Sequence, residues 1–208
     1  MKLVGTLLSH FVRRVAIPMQ IYGIDYELVE ASVVNDQDLI RNHNKLVRIP
    51  SLVLDDGDIL ADSNFILDEL DLMVPDDVRL TPSKQENRRS YGQVIASLTG
   101  SMDKATAWFY EARRRPENLV WPEWAEHLST QLAGGLIQVE EMAAENPSHS
   151  PYLFEDKITH ADIAVGLVYP MANLVTPGLV NENTCPRMHA LSKHMNATEA
   201  FMSTIPSK

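Results

Sequence analysis

Val47-Arg48-Ile49-Pro50-Ser51-Leu52-Val53-Leu54-Asp55-Asp56-Gly57-Asp58-Ile59-Leu60-Ala61-Asp62-Ser63-Asn64-Phe65-Ile66-Leu67-Asp68-Glu69-Leu70 reads as strand, turn, strand and helix. Ser51 to Leu54 is a short apolar run after a proline, long enough for a strand and too short for a helix. Asp56-Gly57 signals a two-residue hairpin of type I′, in which both central residues take positive φ. Ile59 and Leu60 resume the apolar run. Phe65, Ile66, Leu67, Leu70 and Met73 then recur at helical spacing, with Ser63 as the natural N-cap.

Pro50 lacks the N–H that a central strand would use. It belongs at a strand's first residue or in a turn, where a cis peptide is open to it. Flanking backbone groups left unpaired at an edge can bind an extended peptide by strand addition. The N-terminus of the next helix is a ready place for a carboxylate. One end of this stretch reads peptide backbone and the other reads an acid, which suits a small acidic peptide.

The remaining chain sets the frame. Its 208 residues, 45% hydrophobic and 22% charged, allow one large domain or two small ones with a proper core. The net charge of −10 argues against non-specific nucleic-acid binding, which needs a basic face. The basic runs Arg13-Arg14, Arg88-Arg89 and Arg113 to Arg115 read as solvated helix surface or helix ends. A single cysteine, Cys185, excludes an intrachain disulfide and reads as a buried structural thiol in a reducing compartment. No run approaches membrane-spanning length and no signal peptide is expected, so the expected setting is cytoplasmic, away from membranes. Seven histidines show no metal-ligand spacing, and no Gly-rich phosphate loop is present. No metal is expected.

Along the chain, Leu3, Val4, Leu7 and Leu8 predict a first strand. Val12, Val15, Ala16 and Met19 give one helical face that stops at Gly23, with Pro18 either kinking the helix or absorbed by a bulge. Tyr26 to Val29 predicts a second strand, and residues 31–48 a loop with at most one short helix. The order β-α-β then β-β-α is the thioredoxin-like arrangement, placed at residues 1–75. Residues 76–82, with two prolines and no apolar period, predict a linker. Residues 83–208 predict an all-helical domain. One helix carries Ile95, Leu98, Met102, Ala105, Trp108, Phe109 and Ala112; a second, opened by Pro122, carries Leu128, Leu132, Leu136, Val139 and Ala143. Thr159-x-x-Asp162 predicts a capping box on a helix that is apolar all round. Pro186 opens another helix, with Met188, Leu191 and Met195 on its core face.

The Ile49-Pro50 turn, the Asp55-Asp56-Gly57 hairpin and Asp62-Ser63 before an apolar helix resemble the glutathione-binding half of a cytosolic glutathione S-transferase. Ser9-x-x-x-Arg13, the Thr159-x-x-Asp162 box and the ending from Phe201 to Pro206 extend the resemblance over nearly the whole chain, towards the bacterial, serine-type members. The resemblance implies the glutathione S-transferase fold: an α/β thioredoxin-like N-terminal domain plus an all-α C-terminal domain. It implies glutathione as co-substrate, a small electrophile as second substrate, and a homodimer. Ile49, beside a cis Pro50, would pair its backbone with the cysteinyl part of glutathione. Asp62 and Ser63 would hold the γ-glutamyl carboxylate and amine. Arg48 stands where relatives carry Lys and would face the glycyl carboxylate, or stay solvated.

Ser9 falls at the end of strand one, and the resemblance implies that its hydroxyl faces the sulfur. Taken alone, Ser9 also reads as a simple N-cap, and Thr6 and His10 are rivals for the same place. His10 stands where relatives often have proline; it stays solvated, contacts a glutathione carboxylate, or tunes the thiolate. Phe11 joins it at the binding site. Trp108, Phe109 and Tyr110 read either as core or as lining for an apolar co-substrate facing Ser9, and Asp103 as surface or as a reach towards a partner subunit. The implied activity is transfer of a glutathione thiolate to an electrophile. A glutathione-binding carrier or regulator of the same fold is the alternative, and thiol-disulfide exchange would need a cysteine where Ser9 stands.

Overall fold

The computed structural model describes residues 1–145 and 150–206, which divide into two compact units. The first comprises Met1–Ser83 and the chain from Ala197 onward; the second is Lys84–Asn196.

The first unit is a four-stranded sheet, β1 (Lys2–Gly5), β2 (Glu27–Glu30), β3 (Ser51–Val53) and β4 (Ile59–Ala61), in the order β2-β1-β3-β4. β1 and β2 run parallel around α1 (His10–Tyr22), while β3 is antiparallel to both β1 and β4. Leu3, Leu52, Val12, Val15, Ala16 and Met19 form one core layer with Ile66, Leu67 and Leu70 of α3 (Ser63–Leu72). Val4, Ala31 and Ile40 of α2 (Gln37–His43) form a smaller layer. This is the thioredoxin-like arrangement, followed by a helical region.

Several local expectations need correcting. Leu7 and Leu8 lie outside β1, in a turn, and Leu8 is exposed. The hairpin loop is three residues long, not two: the Gly57 N–H donates to Leu54 O (3.1 Å) and the Leu54 N–H to Asp58 O (2.8 Å). Only Gly57 takes positive φ (97°), so Asp56 need not adopt the left-handed region that a type I′ turn demands. The cap of α3 is Asp62, whose carboxylate accepts from the Asn64 N–H (2.8 Å), and Ser63 is the first helical residue. Phe65 and Met73 leave the core stripe and are exposed. Residues 79–81 are held against the unit. Tyr22 OH donates to Asp71 and accepts from the Leu80 N–H (2.9 Å), and Asp71 also accepts from the Thr81 N–H (3.1 Å). α1 runs through Pro18 without ending and stops at Gly23.

The second unit is built on α4 (Arg88–Phe109), α5 (Pro122–Glu145), α6 (His160–Val175) and α7 (Pro186–Asn196). α4 buries Leu98, Met102 and Ala105 but leaves Phe109 exposed. Gly135 is where α4 and α5 approach most closely: a Cβ there would lie 2.8 Å from Ser97 O and 2.1 Å from Ser101 Oγ. Gly134-Gly135 therefore sits inside an intact helix. Arg113 to Arg115 are not simply solvated. Two guanidiniums lie over the rings of Trp108 and Phe109, and Arg115 pairs with the buried Glu111 at 2.9 Å. A short helix, α8 (Glu199–Met202), returns the chain to the first unit, where Phe201 is buried. No helix among the described residues is long and apolar enough to cross a membrane.

α6 is buried from His160 to Tyr169, so its first-turn amides have to be satisfied internally. Asp162 does this, accepting from the Thr159 N–H (2.7 Å), Thr159 Oγ1 (2.6 Å) and the Leu153 N–H (2.8 Å). Burial pushes its carboxyl up to about 6 against those bonds. Each buried donor left unpaired costs about 1–3 kcal/mol, so Asp162→Ala is expected to lose about 2–4 kcal/mol. Chemical denaturation checks it: a lower midpoint with an unchanged slope is predicted, and an unchanged midpoint would count against this role.

Candidate functional site

The sheet register fixes which parts of the chain meet. Val4 pairs with Ser51, and Ser51 pairs with Ala61. The end of β1, the start of β3 and the end of β4 thus lie side by side at one end of the sheet. Three segments leave from that end: the turn to Ser9, the approach through Ile49-Pro50, and the Asp62-Ser63 step into α3.

Ser9 occupies the N-cap position of α1 with φ −80° and ψ 126°, and its carbonyl accepts from the Arg13 N–H (2.9 Å). Its hydroxyl makes no capping bond, although capping is the ordinary use of a serine there. Thr6 Oγ1 is already engaged by the Leu8 N–H (3.4 Å). His10, the first residue of α1, is half-buried and so is not the solvated side chain of the first expectation. Burial, with Arg13 adding like charge, holds its pKa down to about 4. The imidazole is therefore neutral at neutral pH. Phe11 is half-buried one position on.

The Ile49–Pro50 bond is cis. β3 lies inside the sheet, not at its edge, so the unpaired backbone belongs to the segment before it. Among the described residues, no backbone hydrogen bond engages the Ile49 N–H or carbonyl. The Ile49 side chain packs against both core layers, which turns its main chain outward as the usable surface. The loop that delivers it is organised by Asn44. Asn44 O accepts from the Val47 N–H (2.9 Å), Oδ1 from the Leu46 N–H (2.9 Å), and Nδ2 donates to Arg48 O (3.3 Å). Val47 takes φ 53°, a conformation that β-branched residues seldom adopt. Arg48 is exposed.

At the third segment Asp62 has φ 70°, also left-handed, and is exposed, while Ser63 is buried. Behind Ser63 lies a residue that sequence reasoning had assigned to solvent. Arg14 is 1% exposed, and its Nη1 donates to Ser63 Oγ (3.0 Å) and Asn64 Oδ1 (2.9 Å). Its neighbour Arg13 turns towards the C-terminal segment, donating to Phe201 O (3.1 Å) and lying 5.7 Å from the centre of the Phe201 ring. The uninterrupted run Val15-Ala16-Ile17-Pro18-Met19 is the signal that α1 is buried around most of its circumference and that an adjacent arginine would be drawn in.

Residues 3–76 match the family model described as the glutathione S-transferase N-terminal domain. Through this domain the chain belongs to the glutathione S-transferase family. It is 26% identical over 215 residues to the uncharacterized GST-like protein YibF of Escherichia coli strain K12, covering 100% of both. Two solved transferases share the architecture at TM-score 0.85. One, from Methylobacterium radiotolerans in complex with glutathione sulfonate, is 25% identical and covers 100% of this chain and 95% of its own. The other, from Methylobacillus flagellatus with glutathione bound, is 26% identical over 99% of each chain. Among the described residues of this transferase-family chain, no group of three His, Cys, Asp or Glu side chains is placed to hold a metal ion.

Proposed function

We propose that the protein is a glutathione transferase that binds the tripeptide across the end of the sheet and uses its thiolate against an electrophilic co-substrate. The observation that carries this reading is the Val4–Ser51–Ala61 alignment, which sets a free hydroxyl, a free stretch of backbone and a helix N-terminus side by side. Ile49's main chain pairs with the cysteinyl residue, Pro50 shapes the turn, and Arg48 faces the glycyl carboxylate. Asp62 takes the γ-glutamyl amine and Ser63 its carboxylate. His10 and Phe11 flank the sulfur. Glutathione is a co-substrate and the chemistry uses no metal or nucleic acid; the setting is cytoplasmic.

Ser9 supplies the activation. Its hydroxyl donates to the sulfur and favours the anion, and a hydrogen bond to a charged group contributes about 1.5–3 kcal/mol. At about 1.36 kcal/mol per pKa unit, this lowers a thiol normally near 8.5 by about one to two units. The N-terminus of α1 acts in the same direction. The neutral His10 adds no positive charge, so the hydroxyl and the helix carry the effect. The nucleophile is the bound peptide, not the serine.

The alternative is a glutathione-binding carrier with little turnover, favoured by His10 and the left-handed Val47 in the two turns that shape the site. Exposed Phe65 and Leu72 on α3, with Ile59 on β4, support a homodimer through this apolar edge. Phe65→Glu is expected to shift sedimentation from dimer to monomer; a monomeric unaltered chain at micromolar concentration removes that reading.

Thiolate absorbance of bound glutathione, titrated with pH beside turnover of a halonitrobenzene, tests the mechanism. Ser9→Ala is expected to raise the bound thiol's pKa by about one to two units and to cut turnover at neutral pH by about tenfold or more. Tight binding without turnover, unchanged in Ser9→Ala, selects the carrier.

A further inference from the structure

Arg14 has no role in the chemistry above, yet it is among the largest fully buried side chains of the protein. A guanidinium carries only donors, so its bond to Ser63 can run in one direction: Arg14 donates and Ser63 Oγ accepts. A serine hydroxyl has one proton and two acceptor positions. Arg14 occupies one of those positions with a charged donor. The hydroxyl's own proton meets no protein acceptor among the described residues, so Ser63 is left as a donor. Polarisation by the guanidinium strengthens that donor. It stands at the first residue of a ten-residue helix whose free amides already favour an anion.

We propose that Arg14 is a positioning residue that orients the Ser63 hydroxyl as a donor and thereby makes the corner selective for a free α-carboxylate on a γ-linked peptide ligand. The proposal rests on the glutathione site described above and adds to it the part of the ligand that is read. Arg14 does not touch the ligand; it acts through Ser63, while its second bond, to Asn64 Oδ1, holds the same helical turn in place. Arg13, bonded to the C-terminal segment, takes no part.

Calorimetric titration with glutathione and with 4-aminobutyryl-cysteinyl-glycine, the same peptide without the γ-glutamyl carboxylate, separates this role from a merely structural one. For the unaltered chain, the peptide without the carboxylate should bind more weakly. Arg14→Met and Ser63→Ala are each expected to weaken glutathione about tenfold or more while changing affinity for the second peptide by less than about twofold. The double variant should lose no more than Ser63→Ala alone. Arg14→Lys, which keeps the charge with a different donor geometry, carries the same comparison if Arg14→Met does not fold. Equal weakening of both peptides, or an unaffected glutathione affinity in both arginine variants, overturns the proposal. An unaltered chain that binds neither peptide overturns the glutathione site itself.

Discussion

The placement of β3 between β1 and β4, antiparallel to both, is the constraint on which the rest depends. A shift of one residue in either pairing would turn Leu52 and Leu3 out of the core and carry the flanking segments away from one another. With the register held, three chain segments far apart in sequence leave the sheet at the same end. The site is thus a by-product of sheet packing: no side chain has to be carried to it by a long loop.

Each of the three segments contributes a group that the fold has not consumed. Ser9 is at a cap position without capping, Ile49 has its side chain in the core and its main chain outside, and Ser63 accepts a bond that leaves its proton available. Two of the segments also hold a non-glycine residue at positive φ, Val47 and Asp62. Such conformations persist where surrounding contacts over-determine them, as Asn44 does for the first and the Asp62–Asn64 cap for the second. The site combines unspent hydrogen-bonding capacity with backbone held in uncommon conformations, as expected where a ligand completes the structure.

Much of this was legible in the sequence because it is local. The strand, turn and capped helix from residue 51 to 72 follow from apolar spacing and turn chemistry, and the long helices from their stripes. What could not be read was set by tertiary contacts. Asp62 and Ser63 are both good caps, and the approach of Arg14 to Ser63 belongs to packing between α1 and α3. The hairpin signal was right in kind and wrong in length, since a three-residue loop needs positive φ only at its glycine. Arg14 was misplaced because charge alone says solvent, whereas the apolar run after it surrounds the helix with protein. His10 was misplaced for the same reason.

A crystal structure with glutathione bound tests the account most directly. The account predicts the cysteinyl residue paired with the Ile49 main chain, the γ-glutamyl carboxylate on the Ser63 hydroxyl, and the sulfur within hydrogen-bond distance of Ser9 Oγ. A sulfur facing Thr6 or His10, or a tripeptide bound away from the end of the sheet, would contradict it.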